Sequence, residues 1–425
     1  MNSLGVSQVS VPAGAELSLS MDDAVALALQ KSFRVTRSAR STEMAQMRLE
    51  STRAQFRPRF DSTLSLQESL QLSASRSEYG RYKNDPYAST QLSVNAYMSM
   101  PIDLSGIQGR QERQAQLSLE SATINAEQST IDIHADVRSA YASALRAQGV
   151  VEADEAVVVE LRNMIERARS RRPAAVPFLE VELSNAEQLL SLSRSEALIA
   201  QNGLRQQLRL PADTVLRLTS SLNPDIPKVA VEGLLETALS KRSDVRDAQL
   251  RVQQAELALV QSRDSRRPSG SVYGYLFQSY RGANPGQLNN NMSRFGALMV
   301  NVNVPLVSWD NGNMDRAERT ALLSLEQARD DMEEQQARIA TELRFLTINL
   351  AQAQRRLASL PSPRAALDSM RQAEEAVLSS PNWQGEMAQV TNARNSWRLT
   401  HTASMEALAD YYSAYFRLQR SLGER

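Results

Sequence analysis

The sequence contains no cysteine. That excludes disulfides, thiolate metal sites and a lipid-bearing N-terminal Cys, and leaves the redox compartment open. Glycine and proline are scarce, 16 and 15 in 425 residues, and long stretches carry no turn signal, so the chain is built from a few very long elements. Aromatic residues make up 5 %, low for a globular core of this size, while Ala, Leu, Gln, Ser and Arg dominate, as they do in long helices and coiled coils. Neither sign of charge is in excess: Lys+Arg and Asp+Glu both number 48, so no global field draws the chain to nucleic acid or anionic lipid, and a nucleic-acid partner is disfavoured. No run of about 18 apolar residues exists, which excludes a transmembrane helix but not a β-barrel. Met1 to Ser20 has neither a basic nor an apolar region of signal-peptide type, so an exported protein would be represented here by its mature form.

What is present is a duplication. Leu19 to Asp61 and Val229 to Ser271 align without a gap: Ala28-Leu29-x-Lys31 with Ala238-Leu239-x-Lys241, Val35 with Val245, Ala45 with Ala255, Leu49 with Leu259, Arg57-Pro58 with Arg267-Pro268. Each copy runs from a helical pattern through a Pro into a strand pattern, which predicts two tandem repeats of a helix-strand-strand-helix unit, residues 1–228 and 229–425. Ser20 is a candidate N-cap for a helix over 21–56, with Asp22 and Asp23 where the helix dipole favours acids. In the second copy, over 231–266, Val245, Ala248, Val252, Ala255 and Leu259 step as a heptad seam with small knobs.

After Pro58 the period becomes two, predicting strands over 58–72 and 90–101 around a polar loop from Ser73 to Ala88; the second copy predicts strands over 269–280 and 295–305 around a Gly- and Asn-rich loop from Arg281 to Met292. Leu92, Val94, Ala96, Met98 and Met100 alternate with Gln91, Ser93, Asn95, Tyr97 and Ser99, and Leu298, Val300, Val302 and Val304 alternate with Asn301 and Asn303. Of the 11 Tyr, those at 79, 82, 87, 97, 273, 275 and 280 fall in these hairpin regions, which suits aromatic girdles at a membrane interface as well as the ordinary strand preference of Tyr.

Each hairpin ends in a Pro and a turn, Pro101 to Gly106 and Pro305 to Gly312, and a long helix follows. The first, over 107–172, would span about 90 to 100 Å, longer than any single globular domain. It breaks at Arg171-Arg172-Pro173, with a return helix over 178–208 and a linker over 211–228; the second half has helices over 313–378, a turn near Ser379-Ser380-Pro381 and a return helix over 385–423.

This order of elements resembles the TolC family of outer-membrane efflux and secretion channels over essentially the whole chain. The resemblance is carried by the helices ending Arg57-Pro58 and Arg267-Pro268, the strand exits at Pro101 and Pro305 with a following Gly, and helix segments such as Asp136-Val137-Arg138-x-Ala140-Tyr141. The sequence departs from the family in having Ser105-Gly106 and Asn311-Gly312 for Gly-Gly, and in Pro361 and Pro363, which interrupt a long helix. The absent N-terminal Cys points away from the lipoprotein branch.

The fold that the resemblance implies is mainly α with β: a trimeric channel-tunnel in which a 12-stranded membrane β-barrel, four strands per chain from 58–104 and 268–308, continues into a long periplasmic α-helical barrel. Self-association also follows from physics, since four strands cannot close a barrel and open edges are not tolerated in lipid; the number three comes from the family. The implied role is a passive outer-membrane exit duct of a tripartite efflux pump or a type I secretion system, partnered by a periplasmic adaptor protein, an inner-membrane transporter and outer-membrane lipid. The competing reading is a soluble trimeric coiled-coil scaffold or surface fibre.

In such a barrel Val94, Met98, Val300 and Val302 would face lipid, and Asn95, Ser99, Asn301 and Asn303 a watery lumen. By resemblance the helical turns constrict the tunnel and meet the adaptor. Glu180, Glu182 and Glu386 are the candidate carboxylate ring and Arg171 and Arg172, with Arg167 and Arg169, a basic cluster able to pair with those acids or contact the adaptor; solvated helix-face charges are the alternative. His134 and His401 lack the spacing of a zinc site, and Asp310-Asn311-Gly312-Asn313 lacks the Gly and Glu of a calcium loop. No nucleophile-elbow or phosphate-loop motif occurs in a strand-turn-helix context, so no enzyme, cofactor or metal is expected.

Overall fold

The computed structural model describes residues 16–76, 82–222, 233–264, 266–282, 291–305, 310–379 and 383–424. The elements run β1 (Glu16–Leu19), α1 (Met21–Lys31), α2 (Phe33–Gln55), β2 (Arg59–Arg76), β3 (Tyr82–Ile102), α3 (Ile107–Arg171), a 3-10 turn (Pro173–Ala175), α4 (Val176–Leu208), β4 (Val215–Leu218), α5 (Leu234–Lys241), α6 (Ser243–Asp264), β5 (Ser269–Gly282), β6 (Asn291–Asn303), α7 (Asn313–Ser359), α8 (Pro363–Ser379) and α9 (Trp383–Ser421). Part of the expected linker (223–228) with the start of the second repeat (229–232), part of the second loop (283–290), the exit residues 306–309 and the turn at Pro381 lie outside the described residues. So does Tyr79.

Three sequence expectations are corrected. The helices expected over 21–56 and 231–266 are each broken, at Ser32 and at Arg242, matching positions of the duplication. No Pro or Gly marks either break. Ser32 and Arg242 are extended (ψ 124° and 133°), and side chains restart the helix: Ser32 Oγ accepts from Arg34 N–H at 3.1 Å, while the Arg242 guanidinium holds Asp244 and Glu342 at 2.8 and 3.0 Å.

The loop expected from Ser73 to Ala88 is mostly strand: β2 and β3 pair in register to Arg76↔Tyr82, and Pro86 sits opposite Leu72. Pro86 therefore stands inside a strand, within the β2/β3 ladder. The two hairpins join as one antiparallel sheet, in the order β2-β3-β5-β6. The long helix of the second half is interrupted at Leu360–Ser362, where Pro361 and Pro363 cannot supply helical N–H donors. A parallel ladder, β1 with β4 from Glu16↔Val215 to Leu19↔Leu218, occupies segments expected to be unstructured.

The chain divides into two compact units. One comprises Met1–Arg40, Thr123–Asp247 and Glu333–Arg425, the other Ser41–Ala122 and Ala248–Met332. Each draws on both sequence repeats. The first is helical, and its core lies in three clusters. One gathers α3, α4, α8 and α9 around Met164, Leu179, Met370, Val390 and Trp397. Another packs β1, α1 and β4 on Val137, Tyr141 and Leu204. The third joins α5, α6, α7 and α9 around Ile339 and Tyr411.

Ser20 caps α1 as its sequence suggests: its Oγ accepts from Asp23 N–H at 3.2 Å and the Asp23 carboxylate accepts from Ser20 N–H at 3.3 Å. Tyr141, fully buried, donates its hydroxyl to Leu19 C=O at 2.8 Å and accepts from Ser220 N–H at 3.1 Å, which ties the β1/β4 ladder to α3. The second unit holds the four-stranded sheet with the adjoining helix segments. Among the described residues no helix is long and apolar enough to cross a membrane.

Candidate channel surfaces in the sheet and at the helical turns

The register assigns every strand residue to a face, because directly opposed residues in an antiparallel pair share one. Phe60, Leu64 and Leu66 oppose Met98, Val94 and Leu92; these oppose Gly274, Gln278 and Tyr280; and Gly274, Val272 and Gly270 oppose Leu298, Val300 and Val302. This face is mainly apolar and bare, interrupted by Ser62, Gln278 and Arg294: Phe60, Leu64, Leu276 and Leu298 are 65 to 74 % exposed. The other face carries Asp61, Thr63, Asn95, Ser99, Asn301 and Asn303, together with Tyr97, Tyr273 and Tyr275. Asn95, Ser99, Asn301 and Asn303 therefore share a face, opposite Val94, Met98, Val300 and Val302.

Asn95 donates to Thr63 Oγ1 at 3.2 Å, and Tyr275 packs on Tyr97 with ring centroids 5.0 Å apart. The aromatic-girdle reading of the tyrosines is corrected accordingly: Tyr97, Tyr273 and Tyr275 lie on the polar face, and Tyr280 alone of the tyrosines in β5 lies on the apolar one. The sheet's outer strands, β2 and β6, each pair on one side only.

Where strands hand over to helices, both repeats use one device. Asp103 accepts from the N–H groups of Ile107 and Gln108 (2.7 and 3.2 Å), and Asp310 from those of Gly312 and Met314 (2.8 and 2.7 Å). The Met314 N–H chiefly, helped by that of Gly312 against some desolvation, holds the Asp310 carboxyl below the usual carboxylate range. Gly106 and Gly312 both take φ +73°, a left-handed geometry that costs other residues energy. An arginine one turn on closes each corner: Arg110 donates to Ser105 C=O and pairs with Asp264 at 2.8 Å, and Arg316 donates to Asn311 C=O at 2.9 Å. The Asp310 loop is thus a helix cap.

In the helical unit, α3 turns into α4 through Pro173–Ala175, with Ala175 and Leu179 fully buried. Arg171 and Glu180 are exposed, while Arg172, Glu182 and Glu386 are half-buried. Glu182 lies close enough to act on Arg394 of α9. The other two arginines of the basic cluster find acids elsewhere than at the turn: Arg167 pairs with Glu160 at 2.6 Å and reaches Glu374 at 3.7 Å, and Arg169 pairs with Glu166 at 2.9 Å.

Behind the turns lies a set of charged residues absent from the sequence-based candidates. Glu374 of α8 is 1 % exposed and Arg394 of α9 is 3 % exposed, 3.5 Å apart; Asp154 of α3, 2 % exposed, binds Arg398 of α9 at 2.5 Å. Burial pushes the Glu374 carboxyl up to about 7, and the hydrogen bond and charge of Glu160 add to this against Arg394 and Arg167. Burial likewise lowers the Arg394 guanidinium from its ordinary value, against the charge of Glu374.

A signal for these residues exists in the sequence. Glu374 stands in the seam Met370-x3-Glu374-x2-Val377, and Arg394 in Val390-x3-Arg394-x2-Trp397, each a charge where the spacing calls for an apolar residue. His401 stacks near Trp397 (5.7 Å), and burial, against the charge of Glu152, keeps its imidazole below its usual pKa. Among the described residues no group of three or more His, Asp or Glu is placed to hold a metal.

No protein-family model matches the chain, and no curated protein matches it by sequence. Solved structures do match. The outer membrane protein VceC from Vibrio cholerae superposes with a TM-score of 0.68 at 17 % identity, covering 95 % of this chain and 96 % of that one. The open-state outer membrane channel MtrE from Neisseria gonorrhoeae gives 0.73 at 16 %, covering 95 and 89 %, and the Campylobacter jejuni outer membrane channel CmeC gives 0.71 at 15 %, covering 95 and 85 %. The chain has the fold of the TolC-family outer-membrane channels.

In this channel fold the sheet is the part with two unlike faces and two unpaired edges, and the helical turns are the part with clustered charge. The three acids and two arginines proposed for the turn come from two separate corners of the chain, α3/α4 and the start of α9. Of the three acids, Glu182 acts through its charge on Arg394 of α9.

Proposed function

We propose that the chain is an outer-membrane exit duct, a passive conduit for small molecules or proteins that works in a tripartite efflux pump or a type I secretion system. The observation that carries the proposal is the sheet: four strands with a mainly apolar, exposed face, a face rich in Asn, Ser and Tyr and, among the described residues, two unpaired edges. Such a sheet is stable in lipid only when copies join edge to edge and close a barrel. Three chains supplying four strands each is the count that the fold family suggests, with the apolar face turned to lipid and Asn95, Ser99, Asn301 and Asn303 to the lumen.

The location that follows is the outer membrane, with the helices reaching into the periplasm toward an adaptor and an inner-membrane transporter. Glu180, Glu182 and Glu386, with Arg171 and Arg172, are the proposed constriction and adaptor-contact residues; brought near a symmetry axis, the carboxylates would favour cations over anions. The chemistry is passage rather than catalysis.

Single-particle imaging of the chain extracted from membranes in detergent tests this. The expected particle has three-fold symmetry, a hollow stem on the order of 100 Å and a short detergent-wrapped barrel. A solid particle that needs no detergent would instead establish a soluble helical scaffold.

A further inference from the structure

We propose that the carboxyl pair Glu160–Glu374, set between Arg167 and Arg394, is a proton-linked lock that fastens α8 to α3 and releases it when the shared proton leaves. The lock is intramolecular and holds whatever the chain conducts.

The geometry leads to this directly. Glu374 projects from α8 in line with Met370 and Val377, so the carboxyl is packed into the same apolar cluster as Met164, Leu179 and Val390. Two cations face it, and neither is close: Arg394 of α9 lies at 3.5 Å and Arg167 of α3 at 3.7 Å, against about 2.7–2.9 Å for a good charge-assisted bond. Arg167 makes its short bond, 2.6 Å, to Glu160 instead. Arg394 leaves Nε and Nη1 buried without an acceptor and spends Nη2 partly on the Met164 sulfur at 3.7 Å.

Besides the long contact from Arg394, Glu374 has a second carboxyl, Glu160, within hydrogen-bonding reach, and one nitrogen of Arg167 touches both, Glu160 at 2.6 Å and Glu374 at 3.7 Å. Two carboxyl groups within hydrogen-bonding reach hold a proton between them, because both cannot ionise at low cost. With the proton, α8 is bridged to α3. Without it, the half-buried Glu160 anion faces a buried Glu374 anion that has only long contacts to its cations; the relief available is for α8 to move and hydrate it.

The remaining charges do not supply another partner. Glu182 of α4 acts on Arg394, Asp154 of α3 is occupied by Arg398, and Arg371 and Glu375 of α8 itself are exposed. Helix α8 is also short, bounded on one side by the break at Leu360–Ser362, so it can shift without dragging α7.

The sign follows from linkage. The packed state holds the Glu374 proton up to about 7, while a released, hydrated Glu returns to 4.5, so the packed state binds the proton more tightly. Packing is therefore strongest at low pH, weakens as pH rises from about 4.5 to about 7, and changes little beyond. Between about pH 5.5 and about pH 8.5 the ratio of released to packed α8 should rise roughly thirtyfold.

Because the chain lacks cysteine, two can be introduced cleanly. Asn163→Cys on α3 and Arg371→Cys on α8, both at exposed positions, carry spin labels in the full-length chain in detergent. Electron–electron distance distributions are then recorded at the two pH values. The expected result is a second, longer distance that grows at high pH, stays at its low-pH population in Glu374→Gln at both values, and grows less between the two values in Glu160→Gln, where the second carboxyl no longer raises that of Glu374. An unchanged distribution in the parent chain overturns the proposal, and so does a surviving response in Glu374→Gln or an undiminished one in Glu160→Gln. If Glu374→Gln fails to fold, the parent profile and Glu160→Gln decide.

Discussion

The assignment of sheet faces can be tested with neighbouring residues of a single strand. Val300 and Asn301 adjoin in β6, an outer strand of the sheet; Val300 is 64 % exposed and opposes Val272, while Asn301 opposes Ser271 on the other face. Their substitution by Arg adds the same side chain at nearly the same depth. It differs only in whether the charge enters the face proposed to meet lipid or the one proposed to line the lumen.

An Arg on the lipid face costs about 2–4 kcal/mol at the bilayer midplane and about 0–1 near the interfaces. Leu298, 72 % exposed, lies in the row of Phe60, Met98 and Gly274, flanked on both sides by further apolar rows, so Leu298→Arg should approach the upper value. Val300→Arg, one row nearer the strand's end, should cost about 2 kcal/mol, and Asn301→Arg less than about 1. Since 1.4 kcal/mol is tenfold in an equilibrium constant, Leu298→Arg and Asn301→Arg should differ by about two orders of magnitude in the folding equilibrium constant obtained from urea titration of the chain in lipid vesicles. Equal effects, or a larger cost for Asn301→Arg, would refute both the register-based faces and the barrel.

Three further predictions concern the helical unit. Arg398→Ala should cost about 3–5 kcal/mol in urea unfolding, because it strands Asp154, whereas the double change Asp154→Leu with Arg398→Met should be far milder. Tyr141→Phe should cost about 1–2 kcal/mol: Ser220 N–H loses its acceptor, but Leu19 C=O keeps the Thr219 N–H at 3.0 Å, and a circular-dichroism melt that shows no change would argue against the role of the hydroxyl. The third concerns acid. Burial opposes ionisation of Asp244, but the hydrogen bonds and charge of Arg242, with Gln335 and Val245 N–H, hold its carboxyl below the ordinary value of 3.8. A lowered carboxyl contributes stability that is present above the unfolded value and lost as pH falls through the folded one. Acidification below about pH 4 should therefore loosen α5 and α6 first, seen as faster amide exchange there, and Asp244→Asn should abolish that pH dependence.

Much of the architecture was legible in residue pattern alone, since period-two and heptad spacing are local properties and Arg-Pro punctuation marked both helix-to-strand junctions. Spacing also placed Asn95 with Ser99 and Asn301 with Asn303 on shared faces, because alternation within a strand does not depend on its neighbours. Other features could not be read locally. Ser32 and Arg242 break helices without Pro or Gly, held by a serine cap in one case and by an ion-paired guanidinium in the other. Pro86 looked like a loop residue and is a strand residue, paired with Leu72 across the first hairpin.

The division between the two levels follows from what each physical term requires. Alternation along a strand, and the two faces it makes, rest on the order of side chains along the chain, and sequence determined them. Pairing of β3 with β5, the β1/β4 ladder across some two hundred residues, and the burial of Glu374 against Glu160 and Arg394 rest on which distant segments meet, and only the tertiary structure decided those. Glu374 shows the difference in one residue: its seam position is visible in the sequence, yet whether that seam holds a solvated charge or a proton shared with Glu160 depends on a helix two hundred residues away.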